Sequence, residues 1–184
     1  MMEVNRESIP KTLTVFRIGH STRCLEELGE LLRENGVRAL EDIRRFPRSH
    51  RNPQFNLKAL ESALPSKGIK YVWMESLGGF RNSSGQAAKD TALKNIPFRN
   101  YAAYMETEDF SKGVETLLSL ARETTVAIMC AEALYWRCHR SLVSDYLKSK
   151  GVRVIHILSR NRCQEHSYTQ CTRIVDGQLT YHQQ

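Results

Sequence analysis

The stretch TVAIMCAEALYWRCHRSLVSDYLKSKGVRVIHIL, residues 125–158, sets an apolar run, an amphipathic segment and a second apolar run in succession. TVAIMC is short and apolar throughout, which predicts a strand buried on both faces. HRSLVSDYLKSKG places Leu142, Val143, Tyr146 and Leu147 at helical spacing, so one face of a helix should pack inward. VRVIHIL predicts another buried strand. Strand, helix, strand is the crossover unit of a parallel sheet. In such sheets ligands collect beyond the carboxyl ends of the strands. Cys130, Glu132, Arg137, Cys138, His139 and Arg140 all fall in the link where the first strand gives way to the helix.

Working outward, the same alternation recurs. LTVFRIGHS (13–21) reads as a buried strand ending in Gly19, His20 and Ser21, and STRCLEELGELLRENG (21–36) as a helix with a Ser/Thr cap. That helix carries Leu25, Leu28, Leu31 and Leu32 on one face and stops at Gly36. VRALEDIRRF (37–46) predicts a second strand, NLKALESALPSKG (56–68) a short helix broken near Pro65, and IKYVWMESLGG (69–79) a third strand ending at Gly78 and Gly79. Residues 80–97 have no clear period and form a connection long enough to be a lid or binding loop. FRNYAAYM and DFSKGVETLLSLARE predict two more helices, the second burying Phe110, Val114, Leu117 and Leu118. TRIVDGQLTYH, around Asp176 and Gly177, predicts a terminal hairpin. The expected fold is α/β: a three-layer, Rossmann-like sandwich in one domain, residues 1–184, with a mainly parallel sheet of about five strands and a C-terminal β-hairpin.

The chain has 184 residues, 41% of them hydrophobic, enough for one sizeable core. Its formal charge of +7 favours anionic partners such as nucleic acid, nucleotides or phosphorylated metabolites. No run approaches the ~18 apolar residues of a membrane span, and the start lacks the apolar core of a secretory signal. Five cysteines are an odd number, which argues for reduced thiols. A soluble, cytoplasmic protein is therefore expected. Cys24, Cys163 and Cys171 read as small buried residues, and His156 as a core histidine with its hydrogen bonds met.

Three chemistries fit the link after Met129. In one, Cys130 is a thiolate nucleophile activated by helix amides and Arg137, as in rhodanese- or phosphatase-like transferases, although no glycine curls the loop. In another, Cys130, Cys138 and His139, with or without His20, bind zinc or iron, at a spacing that is not specific; no cofactor is the primary expectation. In the third, Glu132 is the general acid or base, assisted by His139 and His20, while arginines hold phosphate. The loop RRFPRSHRNPQFN supplies Arg44, Arg45, Arg48 and Arg51, whose planar forks suit carboxylate or phosphate. Asn52 adds a neutral donor, and Phe55 either stacks on a base or packs into the core, the core reading being preferred. Tyr135 and Trp136 beside Arg137 carry the same choice, as do Tyr101 and Tyr104.

Taken together, IGHSTR, DIRRFPRSHRNPQFN, LGG, FRNYAAYM and MCAEALYWRCHRSL resemble the family catalogued as domain of unknown function 488, in collinear order over about residues 13–158. The resemblance implies a compact α/β enzyme with polar motif residues at one edge, and it supplies no reaction. It points to Gly19, His20 and Ser21; to Asp42, Arg44, Pro47, Arg51 and Phe55; and to Cys130, Glu132, Cys138, His139 and Arg140. His50 stands where an arginine is frequent, and Cys24 where a small polar residue is usual; residues 159–184 form an extension outside the resemblance.

The combined expectation is an enzyme acting on a phosphate-containing substrate, nucleic acid or a nucleotide, with DNA repair or base processing as one such role. Cys130, Glu132, His139 and His20 are its catalytic candidates. Ser21, Asp42, Arg44, Arg51, Asn52, Phe55, Arg137 and Arg140 are its substrate-binding candidates. The rivals are a non-catalytic nucleic-acid-binding module and a Cys130 transferase.

Overall fold

The computed structural model describes residues 12–81, 92–134, 136 and 138–181. Its main sheet has six strands in the order β3-β2-β4-β1-β5-β6. These are β1 (Thr14–Gly19), β2 (Ala39–Asp42), β3 (Lys70–Trp73), β4 (Val126–Cys130), β5 (Arg153–Ser159) and β6 (Arg162–Glu165). All neighbours are parallel except β5 and β6. Helices α1 (Leu25–Glu34) and α2 (Leu57–Ala63) precede β2 and β3, α3 (Ile96–Tyr104) and α4 (Glu108–Glu123) precede β4, and α5 (Arg140–Ser149) links β4 to β5.

Period-two alternation divides the core between two faces. On β4, Val126 and Ile128 join the apolar cluster formed with α3, α4 and α5, while Ala127 and Met129 join the one formed with α1 and α2. This is the three-layer α/β arrangement that the apolar runs predicted.

The sequence-based boundaries shift where side chains compete with the backbone ladder. β2 ends at Asp42 because its carboxylate accepts the Arg44 backbone N–H at 3.1 Å and turns the chain. The residue capping α1 is Cys24, whose sulfur accepts from the Glu27 N–H, not the expected Ser or Thr. Cys24 and Cys163 are exposed and Cys171 is half-buried, so the expectation that these three thiols are buried does not hold. The sixth strand, β6, was not expected: RCQE is short, polar and exposed, and it pairs on β5 through a turn in which Asn161 adopts a left-handed φ of 58°.

The expected hairpin is present as β7 (Arg173–Val175) and β8 (Gln178–Thr180), with Asp176 and Gly177 both at positive φ, as a tight two-residue turn requires. One buried carboxylate fastens the extension. Asp145 on α5 accepts from His166 Nε2 (2.8 Å), the Thr169 amide (3.0 Å) and hydroxyl (2.6 Å), the Thr172 hydroxyl (3.0 Å) and the Tyr181 hydroxyl (3.0 Å). His156 is buried and bonds His166 at 3.0 Å, in keeping with the core reading. No helix among the described residues is long and apolar enough to cross a membrane.

Candidate functional site

The carboxyl ends of β1, β2 and β4, and the loop after β3, meet at one edge. The His20 and Ser21 amides donate to the Cys130 and Ala131 carbonyls at 3.0 and 2.9 Å, which locks the end of β1 to the β4 link. His139 places Nε2 3.1 Å from the Ile43 carbonyl just past β2, and its ring lies against Gly79 after β3.

Two buried arginines brace this edge. The Arg140 side chain, 1% exposed, donates from its guanidinium to the Ile18 and Glu132 carbonyls and from Nε to Cys138 Sγ at 3.2 Å. Burial opposes its charge, yet the sulfurs of Cys138 and Cys130 raise its pKa. The expectation that Arg140 binds phosphate is therefore corrected: its donors face inward and hold two carbonyls and a sulfur. Arg44 is likewise buried. It pairs with Asp42, donates to the Phe55 carbonyl at 2.7 Å and approaches His20 Nε2 at 3.2 Å. Asp42 also accepts the Tyr71 hydroxyl at 2.7 Å, so neither member of that pair is open to a ligand.

His20 is 2% exposed and stacks on the buried Phe55 ring at 4.2 Å between centroids. Its Nδ1–H donates to the Ser21 carbonyl at 2.9 Å, which leaves Nε2 to accept from Arg44. Burial lowers its pKa to about 4, so it is neutral near pH 7 with both nitrogens engaged. His20 was expected to assist proton transfer; here its two nitrogens are held by the Ser21 carbonyl and Arg44, and Phe55 packs in the core, as the preferred reading had it. Ser21, half-buried, holds a left-handed φ of 51°.

Three donor atoms cluster beneath the surface. The sulfurs of Cys130 and Cys138 and a ring nitrogen of His139 lie within 4.8 Å of one another. Cys138 is 3% exposed and Cys130 partly so. Burial opposes ionisation of Cys138, but the Cys130 thiol hydrogen bond, Arg140 and His139 prevail and lower its pKa well below the usual value. The same hydrogen bond, joined by burial, raises Cys130. Of the two thiols, Cys138 is the one whose surroundings favour ionisation.

Toward solvent stand different residues. Glu132 is exposed beside this cluster, and its backbone carbonyl accepts from the buried Arg140 guanidinium. Arg51 is exposed and Asn52 half-buried in the loop before the turn Pro53–Phe55. Arg137 and Tyr135 lie outside the described residues, as do most positions of the expected 80–97 loop. Trp136 is exposed, Tyr101 is fully buried, and Tyr104 lies under the Arg81 guanidinium at 3.6 Å.

The aromatic pair that reasoning from sequence missed is Phe46 with Phe80. They are 64% and 61% exposed, their centroids 5.9 Å apart, and they follow directly on the Ile43–Arg45 and Gly78–Gly79 segments that flank His139. The available signal was local: each lies outside any apolar period, Phe46 before a proline and Phe80 after two glycines.

Residues 24–147 match the family model described as Domain of unknown function DUF488. The match begins after the IGHST segment and ends within α5. No curated protein and no solved structure matches the chain.

Proposed function

The chain belongs to the DUF488 family, and from that premise we propose that it is an enzyme acting on a phosphate-containing substrate, nucleic acid or a nucleotide, at the carboxyl edge of its sheet. One observation carries the reading: an exposed aromatic pair, Phe46 and Phe80, stands beside a buried Cys/His cluster in a strongly basic chain. Exposed aromatic rings stack on bases, and neighbouring arginines meet the phosphates. Arg48 and Arg51 are exposed in the same loop. Glu132 is the carboxylate open to solvent, suited to act as general acid or base, while His139 belongs to the cluster below it. An intracellular place of action fits the five unpaired thiols. Base processing, including repair, is one role such a site would serve.

The test is binding of fluorescent single-stranded DNA and RNA oligonucleotides at two salt concentrations, with analysis of products. Phe46→Ala and Phe80→Ala should each weaken binding about 5- to 150-fold, the equivalent of ~1–3 kcal/mol per stacked base. Glu132→Gln should abolish turnover and leave binding intact. Binding that ignores both phenylalanines would sink the proposal. Binding with no product from any substrate would leave only the rival, a non-catalytic nucleic-acid-binding module.

A second reading, transfer chemistry through a thiolate, is favoured by the Arg140 Nε–H directed at Cys138 Sγ. It places the nucleophile on Cys138, with Cys130 as the protonated partner. Alkylation that follows pH with a midpoint well below the ordinary thiol range supports it, and thiols inert at neutral pH remove it.

A further inference from the structure

We propose that Cys130, Cys138 and His139 form a binding site for a divalent cation of the zinc class, with three protein ligands and a fourth position left for water. Four observations converge on it. The first is spacing. For tetrahedral zinc with Zn–S of about 2.3 Å and Zn–N of about 2.0–2.1 Å, a sulfur and a nitrogen ligand should stand ~3.6 Å apart. Cys138 Sγ and His139 Nδ1 are 3.5 Å apart, and the Cys130 sulfur lies within 4.8 Å of both.

The second is the histidine tautomer. The Ile43 carbonyl at 3.1 Å requires a proton on Nε2, so in the neutral ring Nδ1 is the nitrogen whose lone pair faces the sulfurs. A metal-bound histidine is oriented in this way, its second ring nitrogen donating to a carbonyl or carboxylate.

The third is the donor beside one of the sulfurs. Arg140 Nε–H is directed at Cys138 Sγ at 3.2 Å, a charged donor that suits a thiolate ligand there. Two thiolates and a divalent ion sum to zero charge, which lightens the desolvation of a buried site.

The fourth is Gly79. A Cβ there would come within 2.6 Å of Nδ1, Cγ and Cε1 of His139 together. Closeness to three ring atoms at once places that position over the ring face, so Gly79 seats the imidazole without lying across the Nδ1 lone pair. Any larger residue would push the ring off the sulfurs.

Three protein ligands with one open position is the pattern of a catalytic zinc site, whose bound water is acidified to a pKa near 7. That role in turnover rests on the reading of this edge as a reaction centre; the binding of the ion does not. Two mercaptide ligands with a single imidazole favour zinc over magnesium or calcium, which prefer oxygen.

The experiment uses the full chain, purified without added metal or chelator. Its metal content is measured, and the chelator-stripped protein is titrated with Co(II) and then Zn(II). The expected result is one equivalent of ion per chain, with the visible absorption of tetrahedral thiolate-ligated Co(II) displaced by Zn(II). Cys130→Ser, at the partly exposed ligand, should weaken binding and lower the sulfur-to-cobalt charge-transfer band. Gly79→Ala leaves every ligand in the sequence and should weaken binding about 10- to 100-fold, as loss of ligand orientation does. A folded, stripped wild-type protein that takes up neither ion overturns the proposal, and so does uptake unaffected by both variants. Because the readout is metal uptake, its failure is separate from failure of oligonucleotide binding at Phe46 and Phe80.

Discussion

Arg140→Met separates a structural guanidinium from a substrate-binding one. Methionine matches the length of the buried stem and removes every donor. The Ile18 and Glu132 carbonyls then lose their charged partner, and Cys138 loses the N–H on its sulfur. A hydrogen bond to a charged group contributes about 1.5–3 kcal/mol, so the two carbonyl bonds alone amount to roughly 3–6 kcal/mol. Removal of the desolvated charge offsets part of this, which places the net loss at about 3–5 kcal/mol, the range found when one partner of a buried charged interaction is removed. In a domain with a total stability of about 5–15 kcal/mol, that is a large fraction. At about 2–4 °C per kcal/mol for this chain length, Tm should fall by roughly 6–20 °C. Urea unfolding followed by circular dichroism reads the loss as a lower midpoint at unchanged slope. Arg51→Met, at an exposed position, is the control and should stay within about 0.5 kcal/mol of the parent. If Arg140→Met is no less stable than Arg51→Met, the guanidinium does not brace this edge.

The pH dependence of stability should be set largely by buried groups. His20 and His156 are held at about 4 and about 2, chiefly by burial, against an ordinary 6.5. The unfolded chain therefore takes up protons first, and each histidine removes about 1.4 kcal/mol per pH unit as pH falls below 6.5, until its folded pKa is reached. Glu41 acts in the opposite sense: burial raises it from 4.5 to about 7, so its contribution is present below 4.5 and lost as pH rises toward 7. Between pH 4.5 and 6.5 the net slope should be about 1.4 kcal/mol per unit, and Glu41→Gln should steepen it to about 2.8. Urea midpoints at intervals of half a pH unit measure both slopes, and a parent and variant with parallel acid limbs would contradict the assignment of Glu41. Tyr181→Phe removes one of the five hydrogen bonds to Asp145 and should cost about 1.5–3 kcal/mol, with faster amide exchange in β7 and β8; unchanged stability would mean that this hydroxyl does not fasten the extension.

Layer order and strand direction were legible because they depend on periodicity, and the apolar runs at β1, β4 and β5 carry it strongly. The meeting of Cys130, Cys138, His139 and His20 at one edge was legible for a topological reason: a parallel sheet brings the carboxyl ends of all its strands to the same side. What spacing does not carry is depth. Arg44 and Arg140 read as surface clamps because arginine is usually exposed. Their burial depends on carbonyls and a sulfur from other segments, Phe55, Ile18, Glu132 and Cys138, which no local pattern announces. β6 escaped for a related reason, since an exposed edge strand needs no apolar alternation to pair. Phe46 and Phe80 escaped because each is a single residue; only the folding of two distant loops makes them a pair.

The burial of the motif arginines changes what the motif and the basic charge mean. A guanidinium taken out of water is retained only where several acceptors compensate it. Arg140 has two carbonyls and a sulfur, Arg44 has Asp42 and the Phe55 carbonyl, and Arg17 on β1 donates to Ser144 on α5 at 3.0 Å. Arg44 and Arg140 form the wall that fixes His20, Cys138 and the β4 link, and all three arginines direct their donors to acceptors inside the molecule. In the proposed function, recognition of an anionic partner then falls to exposed residues such as Arg48 and Arg51, and to the rings of Phe46 and Phe80. Substitutions in the wall should therefore register first as lost stability, and substitutions on the rim as lost binding with the fold intact. That division is what the long Cys–Ala–Glu to Cys–His–Arg link makes possible: its buried end is anchored to three strands, while Glu132, near its start, is left facing solvent.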